Sequence, residues 1–260
     1  MELSHLYVFK QMLFTDMVLV RRGFKDKVIN LTIWFATQLI VFAYLMPYLG
    51  FPIKYIGFFL ASLAASGGLF EVFPSAVTLV ADMEGDKIIE YNFTLPVPSW
   101  MVLLKMIVYY SVNAAIQMCF VLPFGLLISW GKVDITTISF VKYGLLFIAT
   151  SMFYGSFTLL VASRIKSMLS IGSGWMRFVY PIWFLGCFQF SWQALYSWSP
   201  FFAYVNLLNP MVYVMEGTRA AILGQQNFLN YWLCLIMTLF FSVFYAWWSI
   251  KKLKKRLDFV

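Results

Sequence analysis

The chain has 260 residues, of which 62% are hydrophobic and only 12% are charged, and its formal net charge is +8. Soluble domains carry about 25% charged residues, so this composition excludes an ordinary soluble enzyme or binding domain and predicts a polytopic membrane protein. Because a membrane-spanning helix needs about 20 apolar residues, the apolar segments occupy nearly the whole chain and leave no room for a separate soluble domain.

The excess of positive charge has a membrane explanation. Lysine and arginine concentrate in the segments between apolar runs and in the C-terminal tail, KKLKKRLDFV, as the positive-inside rule describes for cytoplasmic segments. We therefore expect membrane lipid and no nucleic acid as a partner, and we expect both termini on the cytoplasmic side.

Residues 1–27 precede the first apolar run. Leucine, phenylalanine and methionine side chains fall near one face of a predicted helix, and a basic cluster follows at Arg21, Arg22, Lys25 and Lys27. This pattern predicts an amphipathic helix that lies in the cytoplasmic interface; the alternative is an N-terminal helix docked on the bundle. No secretory signal peptide is expected, because the segment lacks a cleavage site of small residues.

Six apolar segments predict an all-α integral membrane protein with six transmembrane helices. They are residues 28–49, 55–80, 100–130, 135–162, 171–190 and 228–250. With both ends cytoplasmic, this order puts the polar loop 81–99 inside and the stretch 191–226 outside. The sequence shows no internal repeat, so an inverted-repeat secondary transporter finds no support.

The loop 81–99, ADMEGDKIIEYNFTLPVPS, is the longest polar stretch of the chain. A charged head is followed by apolar residues and paired prolines, which predicts a short amphipathic helix that docks into a groove of a soluble partner. The residues expected to make this contact are Glu84, Asp86, Lys87, Glu90, Leu95 and Pro96. The alternative is a solvated loop with ordinary surface charge.

The stretch after the fifth apolar segment is too apolar for an ordinary loop, and it carries helix caps. Asn209 suits the N-cap, Pro210 the first helical position and Gly224 the position past the end. The sequence therefore predicts a helix from Pro210 to Leu223. A capped apolar helix between two spans is typical of a re-entrant hairpin, placed here at 191–226 on the outer side.

Glu216 and Arg219 lie three residues apart on this predicted helix, after Tyr213. They are expected to pair with each other or across a dimer. The alternative is a local pair of small energetic worth. Together with Asn209 and Pro210, these three residues define the external hairpin as a candidate site.

Glu71 is the sharpest polar feature of the apolar segments, because a carboxylate in a span usually faces a cavity or a partner. It is expected either to line a substrate path or dimer seam, or to make a structural hydrogen bond to a neighbouring helix. Arg177 is one candidate partner, although an arginine near a span end more often snorkels to the interface. Asn113 and Gln117 are expected to bridge helices.

Aromatic residues of the first and fifth spans form a second candidate feature. A lateral or central substrate path would be lined by Trp34, Gln38, Glu71, Trp175, Arg177, Tyr180 and Trp183. The alternative is packing, because an aromatic stripe at helical spacing usually belongs to a core.

No metal site and no catalytic residue is predicted. His5 is the only histidine, and Cys119, Cys187 and Cys234 lie in apolar runs without metal-ligand spacing. The chain has no Gly-x-x-x-x-Gly-Lys-Ser/Thr phosphate loop, so ATP hydrolysis by that chemistry requires a separate subunit.

Two motifs resemble those of ABC-2 type transporter permeases. From Glu84 to Lys105 the chain reads acidic residue, Gly, charged residue, apolar residues, Leu-Pro-Val-Pro, Ser and Lys, which is similar to the first cytoplasmic loop of that family. Leu208-Asn209-Pro210-Met211-Val212-Tyr213, followed by Glu216 and Arg219, is similar to its hairpin signature. Two departures are Cys187, where the family often has a small residue, and a hairpin without the usual Leu-Pro.

The resemblance implies a permease subunit of an ATP-driven exporter in the bacterial inner membrane. Such permeases form dimers, here expected to be homodimers, on two ATPase subunits that bind ATP and Mg, and the loop 81–99 would transmit closure of the ATPases to the spans. The substrate would be amphipathic: a lipid, a drug-like molecule or a lipid-linked glycan. This chain itself would hold no cofactor and would not be an enzyme.

Two other classes of function stay open from the residues. A membrane-embedded lipid-modifying enzyme would need His, Asp or Ser–Lys groups clustered at one depth, and the sequence offers none. A non-transporting membrane scaffold would not need a loop shaped for an ATPase.

Overall fold

The computed structural model describes residues 2–129, 131–165 and 167–257. Those residues form helices and connecting turns, without a strand among them. Trp130, predicted to end the third span, and Lys166, counted among the cytoplasmic basic residues, lie outside the described residues.

The N-terminal half consists of long helices joined by short turns. Their bounds are α1 Glu2–Ile40, a π-helical turn Val41–Leu45, α2 Met46–Tyr48, α3 Lys54–Ser66, α4 Leu69–Glu84, α5 Ile88–Thr94, α6 Ser99–Cys119 and α7 Val121–Ile128. Helix α1 passes residues 27 and 28 without a break. The predicted 1–27 segment is therefore not a separate helix in the structure, and its placement in the interface stays a prediction.

The C-terminal half alternates long helices with short ones. The bounds are a 3₁₀ turn Ile135–Thr137, α8 Phe140–Arg164, a 3₁₀ turn Met168–Ser170, α9 Ile171–Gly174, a π-helical turn Trp175–Val179, α10 Tyr180–Phe184, α11 Trp192–Trp198, α12 Pro200–Asn206, α13 Pro210–Leu223 and α14 Tyr231–Leu257.

Five helical stretches among the described residues are long and apolar enough to cross a membrane, which indicates a multi-pass membrane protein. They are His5–Tyr48, Tyr55–Glu84, Ser99–Ile128, Phe140–Arg164 and Tyr231–Arg256. Each overlaps one of the predicted spans, and only the predicted span 171–190 has no counterpart among them.

The segment 171–190 is shorter as a helix than the sequence predicts. Its helical turns run from residue 171 to 184, about 21 Å of helix at about 1.5 Å per residue, against a hydrocarbon core of about 30 Å. Cys187 then adopts a positive φ of 66°. The carbonyls of Cys187 and Phe188 accept hydrogen bonds from the Arg219 side chain. They are therefore satisfied without the hydrogen bonds of a continued helix.

The spans fall into a buried centre and a surrounding layer. In the Tyr55–Glu84 and Phe140–Arg164 stretches 83% and 78% of the most apolar window is buried, compared with 22% to 33% in the other three. Helix α13 is buried from Pro210 to Ile222. Helices α3, α4, α8 and α13 therefore form the core, and α1, α6 and α14 keep apolar side chains exposed, as lipid contact requires.

Gly155 permits the close approach of α8 to α6. A Cβ atom at this position would lie 2.5 Å from the carbonyl oxygen of Ile107 and closer still to the hydroxyl of Ser111. Gly144 lies on the same helix, and a Cβ atom there would meet nothing within 4 Å. Small residues at such crossings let two helix backbones approach closely.

We expect Gly155→Ala to lower the stability of the purified protein by about 2 kcal/mol, because overpacking forces the two backbones apart. Gly144→Ala should be neutral or slightly stabilising, since alanine is the better helix former. Apparent melting temperatures of both variants in one detergent provide the measurement. Equal melting temperatures for the two variants would show that the α6–α8 contact is not as close as described.

Candidate functional site

The Glu71 carboxylate, in the first turn of α4, is surrounded by polar groups from three helices. Lys27 Nζ donates to Glu71 Oε1 at 2.5 Å and to Asn113 Oδ1 at 2.6 Å. Gln117 Nε2 donates to Glu71 Oε2 at 3.1 Å, and the Ser75 hydroxyl donates to Oε1 at 3.0 Å. The carboxylate is thus ion-paired and hydrogen-bonded, and the cluster joins α1, α4 and α6.

The sequence left two interpretations of Glu71 open, and the structure provides the hydrogen bonds of the second. Asn113 and Gln117 connect α6 to α4 and α1 as expected. Arg177 is exposed, and Lys27 makes the ion pair that had been considered for it. The role of Glu71 in a substrate path stays a prediction.

A second ion pair joins α1 to α6 closer to the N-terminus. Lys105 Nζ lies 3.0 Å from Asp16 Oδ1, and the two side chains are only 11% and 8% exposed. No sequence pattern marks either residue as half of a pair, because they are far apart in the chain. The Asp16–Lys105 pair therefore holds α1 against α6, and the Lys27–Glu71 pair holds α1 against α4. Breaking either pair would leave an uncompensated charge.

Three of the predicted path residues meet around one phenylalanine. The ring of Phe70 lies 4.3 Å from Trp34, 6.2 Å from Trp175 and 5.5 Å from Trp183, measured between ring centroids. Trp34 is on α1, Phe70 on α4, and the other two are on the helical segment 171–184. The rings form a packed cluster between these helices, which is the arrangement that the packing alternative describes.

The remaining path residues lie around this cluster. The ring of Tyr180 lies 6.2 Å from that of Trp183, and Gln38 is half-buried one turn after Trp34 on α1. The indole N–H of Trp183 is buried without a hydrogen-bond acceptor among the described residues. Of the seven predicted path residues, Arg177 alone lines one of the cavities described here, so the part of the set in a path stays a prediction.

The loop 81–99 contains the short helix that the sequence predicts. Helix α5 covers Ile88–Thr94 and ends before the prolines. The Asp82 carboxylate accepts the backbone N–H groups of Ile88 and Ile89 at 3.0 and 2.9 Å, so it satisfies two of the donors at the start of the helix.

The charged head of this loop is partly tied to its surroundings. The Glu84 carboxylate accepts the backbone N–H of Met168 at 3.2 and 3.3 Å. Lys87 pairs with Glu90 at 3.6 Å, whereas Asp86 is exposed. The loop is therefore anchored at Glu84 and free to make contacts at Asp86.

The far end of the loop contacts the start of α1. His5 Nδ1 lies 2.5 Å from the carbonyl oxygen of Pro96, and Leu95 is half-buried. On α5 itself, Ile89 is 2% exposed, whereas Ile88 and Tyr91 are 58% and 65% exposed. The helix thus packs by one side and presents apolar side chains on the other.

Helix α13 has the bounds and the caps that the sequence predicts. Asn209 Oδ1 accepts the N–H of Met211 at 3.0 Å, and Pro210 occupies the first turn. Gly224 ends the helix with a φ of +92°, a conformation that glycine adopts without steric cost. The Tyr213 hydroxyl donates to the carbonyl of Leu207 at 2.9 Å and closes the turn before the helix.

The Arg219 guanidinium is fully buried and links α13 to two other parts of the chain. It donates to Glu216 Oε1 at 3.0 Å, to Ser62 Oγ at 2.7 Å, to the carbonyls of Phe188 and Phe190 at 3.0 and 3.1 Å, and to the carbonyl of Cys187. Its central carbon lies 3.7 Å from the centre of the Phe58 ring. The side chain therefore holds the non-helical segment 187–190 against α3.

Glu216 completes this network. It is 0% exposed, and besides Arg219 it accepts the backbone N–H groups of Trp192 at 3.1 Å and Leu229 at 3.2 Å. Of the pairings that the sequence left open, the structure shows the one within the chain. The alternative of a local pair of small energetic worth does not fit, because both charges are removed from solvent. Arg219 also binds three backbone carbonyls and Glu216 two backbone N–H groups.

Asp134 belongs to the turn before α8, outside the spanning helices. Thr136 donates its hydroxyl to Asp134 Oδ1 at 2.7 Å and its backbone N–H at 2.9 Å. These two hydrogen bonds hold the pKa of the Asp134 carboxyl below its usual value. The turn is thereby fixed next to the C-terminal end of α13, where the Thr137 hydroxyl donates to the carbonyl of Ile222 at 2.8 Å.

Within the described ranges, no group of three His, Cys, Asp or Glu side chains is placed to hold a metal ion. Comparison with protein-family models, curated proteins and solved structures gives no match for this chain. The geometry of these clusters and the sequence motifs are thus the basis on which a function is proposed.

Proposed function

We propose that this chain is the permease subunit of an ATP-driven exporter of the ABC-2 type, which moves an amphipathic substrate outward across a membrane. The observation that carries the proposal is the loop that contains helix α5. Glu84, at the end of α4, anchors this loop to Met168. The loop presents Asp86, just before α5, and Ile88 and Tyr91, on α5, to solvent. These are the features a coupling helix needs to bind a soluble ATPase, and α5 occupies the loop in which the sequence resembles the family.

The cytoplasmic position of α5 is supported by the charges around it. Glu84 contacts Met168, just after the end of α8. Arg256, near the end of α14, donates to the carbonyl of Ile165 at 2.7 Å. The loop therefore lies at the end of the bundle that carries Arg164 and the basic tail, which is the cytoplasmic end by the positive-inside rule.

We further propose that 171–190 is a shortened fifth span and that 191–226 is the re-entrant hairpin on the outer side. Supporting this, the hydroxyl of Tyr154, in the middle of α8, donates to the sulfur of Met211 at 3.6 Å, and the N–H of Ser139, at the start of α8, donates to the carbonyl of Ala221 at 2.8 Å. Helix α13 thus extends from mid-bundle to the end opposite α5. In its irregular neighbour 187–190, Cys187 and Phe188 are buried by protein and Gln189 is exposed. Non-helical backbone at membrane depth needs such cover or a water-filled cavity.

The partners follow from the same proposal. Two copies of the chain would form a homodimer on two ATPase subunits, which bind ATP and Mg. The aromatic cluster of Trp34, Trp175 and Trp183 would lie along the substrate path at the dimer seam, where its partly exposed edges meet the second copy or the substrate. A lipid, a drug-like molecule and a lipid-linked glycan all fit this chemistry.

The test is co-expression with a candidate phosphate-loop ATPase. We expect Asp86→Lys and Tyr91→Ala each to reduce co-purification and transport-dependent ATP hydrolysis by about tenfold, because charge reversal and aromatic truncation act directly at an interface. Glu84→Lys is less informative, since it also breaks the contact with Met168.

The matched control is Asp26→Lys, the same charge reversal at an exposed position of α1. It should leave ATPase association unchanged. If Asp86→Lys and Tyr91→Ala bind the ATPase as the unaltered chain does, α5 is not the coupling helix; if no ATPase co-purifies with the unaltered chain, the transporter class is wrong.

A further inference from the structure

A small basic cleft opens where α8 ends and the segment 171–184 begins. It has a volume of about 240 Å³, and its polar lining comes from Arg164, Ser170, Ser173 and Arg177. A water molecule occupies about 30 Å³ in the liquid, so the cleft has room for a group the size of a phosphate with part of its ester. The sequence placed Arg177 among the residues of a substrate path; the proposed transport function assigns no role to the other lining residues.

Among the described residues, neither arginine of the cleft forms an ion pair with a carboxylate. The Arg164 guanidinium lies 4.4 Å from the centre of the Trp248 ring, a contact that orients its plane and leaves its charge uncompensated. Glu84, the acidic residue of the loop 81–99 that contacts Met168, accepts the backbone N–H of that residue.

The serine hydroxyls add groups that can donate. Ser173 now donates to the carbonyl of Ser170 at 2.7 Å, and Ser170 donates to the carbonyl of Ser167 at 2.8 Å. A hydroxyl can rotate from a carbonyl toward a stronger acceptor, and a phosphate oxygen is such an acceptor. Two guanidinium groups with two hydroxyls form a donor set suited to a phosphate, which arginine binds through paired N–H groups.

The surroundings of the cleft are apolar and exposed. Leu169 is 100% exposed, Met176 is 62% exposed and Met168 is 42% exposed, and all three flank the lining residues in sequence. An inorganic phosphate would gain nothing from these side chains. A phospholipid would place its phosphate in the cleft and its acyl chains along them.

We propose that this cleft binds the phosphate headgroup of an anionic membrane phospholipid. The site lies at the basic end of the bundle, where lysine and arginine near a membrane surface attract anionic lipids. The bound lipid would fix the start of the segment 171–184 to the end of α8. This inference needs only a membrane-embedded chain and does not depend on the transport function.

Native mass spectrometry of the delipidated full chain in detergent tests the site. Dioleoylphosphatidylglycerol is added as the anionic probe, dioleoylphosphatidylcholine as the zwitterionic probe, and inorganic phosphate as the free competitor. We expect one phosphatidylglycerol to be retained per chain, with about tenfold weaker retention of phosphatidylcholine, because the headgroup of the latter carries a cation that two arginines repel.

Arg177→Gln should weaken phosphatidylglycerol retention about tenfold, the usual worth of a charge-assisted contact, and Arg177→Lys should retain most of it. Arg164→Gln should act in the same direction, and Arg177 gives the cleaner result because it is exposed and makes no ring contact in the structure. Arg22→Gln, which removes an equal charge from an exposed position of α1, is the control and should bind as the unaltered chain does.

Three results would overturn the inference. They are equal retention of phosphatidylglycerol by the unaltered chain and by Arg177→Gln, equal retention of the two lipids, and a loss in Arg22→Gln as large as that in Arg177→Gln. A fourth result would overturn the assignment to a lipid: if millimolar inorganic phosphate displaces the lipid and is itself retained, the cleft binds free phosphate.

Discussion

Arg219→Met is expected to be the most destabilising of the substitutions considered for this protein. The change leaves the Glu216 carboxylate buried without its ion pair, and removing one partner of a buried pair costs about 3–5 kcal/mol. It also frees the carbonyls of Cys187, Phe188 and Phe190, which accept from the guanidinium. We therefore expect a sharp loss of folded protein after extraction and a lower apparent melting temperature.

A double variant separates the charge from the hydrogen bonds. Arg219→Met combined with Glu216→Gln removes the unpaired carboxylate and should recover part of the stability, while the three carbonyls still lack a donor. Arg22→Met, at an exposed arginine of α1, should melt as the unaltered chain does. If Arg219→Met has the same apparent melting temperature as Arg22→Met, the network around α13 does not hold the segment 187–190 in place.

Lys27→Met is expected to have the second largest effect. It strips Glu71 of its ion pair and Asn113 of its donor, and it uncouples α1 from α4 and α6. Because the Lys27 and Glu71 side chains are 25% and 12% exposed, water can reach them in part. We place the loss at the low end of the range for buried pairs, about 3 kcal/mol.

Lys25→Met is the matched control, because Lys25 is two residues away and exposed on the same helix. It should change the melting temperature little, as exposed charges contribute little. Glu71→Gln should also be milder than Lys27→Met, because an amide oxygen still accepts from Lys27. Equal melting temperatures for Lys27→Met and Lys25→Met would mean that the Lys27–Glu71 pair contributes no stability.

The same variants distinguish a structural Glu71 from one that lines a path. If the cluster only joins helices, transport per folded molecule in Glu71→Gln stays the same once the amount of folded protein is matched. A drop in transport at equal amounts of folded protein would support the path.

The elements that the sequence predicted correctly depend on local chemistry. Membrane character follows from runs of about 20 apolar residues, and five such stretches are present in the structure. Helix α13 follows from the preferences of Asn209, Pro210 and Gly224 at fixed positions of a helix, and α5 from the prolines that end it. Each of these signals lies within a few residues of the element it specifies.

The boundaries that differed depend on contacts from elsewhere. No residue near position 27 signals whether α1 continues. The helix is held to α6 by the Asp16–Lys105 pair and to α4 by the Lys27–Glu71 pair. The segment 171–190 is apolar enough for a full span, yet its helix ends at Phe184. Beyond this end, Arg219 donates hydrogen bonds to the carbonyls of Cys187, Phe188 and Phe190.

The sequence by itself determined that this is an all-helical membrane protein, where most of its spans lie and which residues cap α13, because apolar length and capping are properties of neighbouring residues. Only the tertiary structure decided the partners that the buried charges find on other helices. A charge in an apolar segment must find its partner in space, and Lys27 and Glu71 are 44 residues apart in the chain. Their pairing, the Arg219 network and the arginine cleft arise from helix packing, which no local pattern encodes.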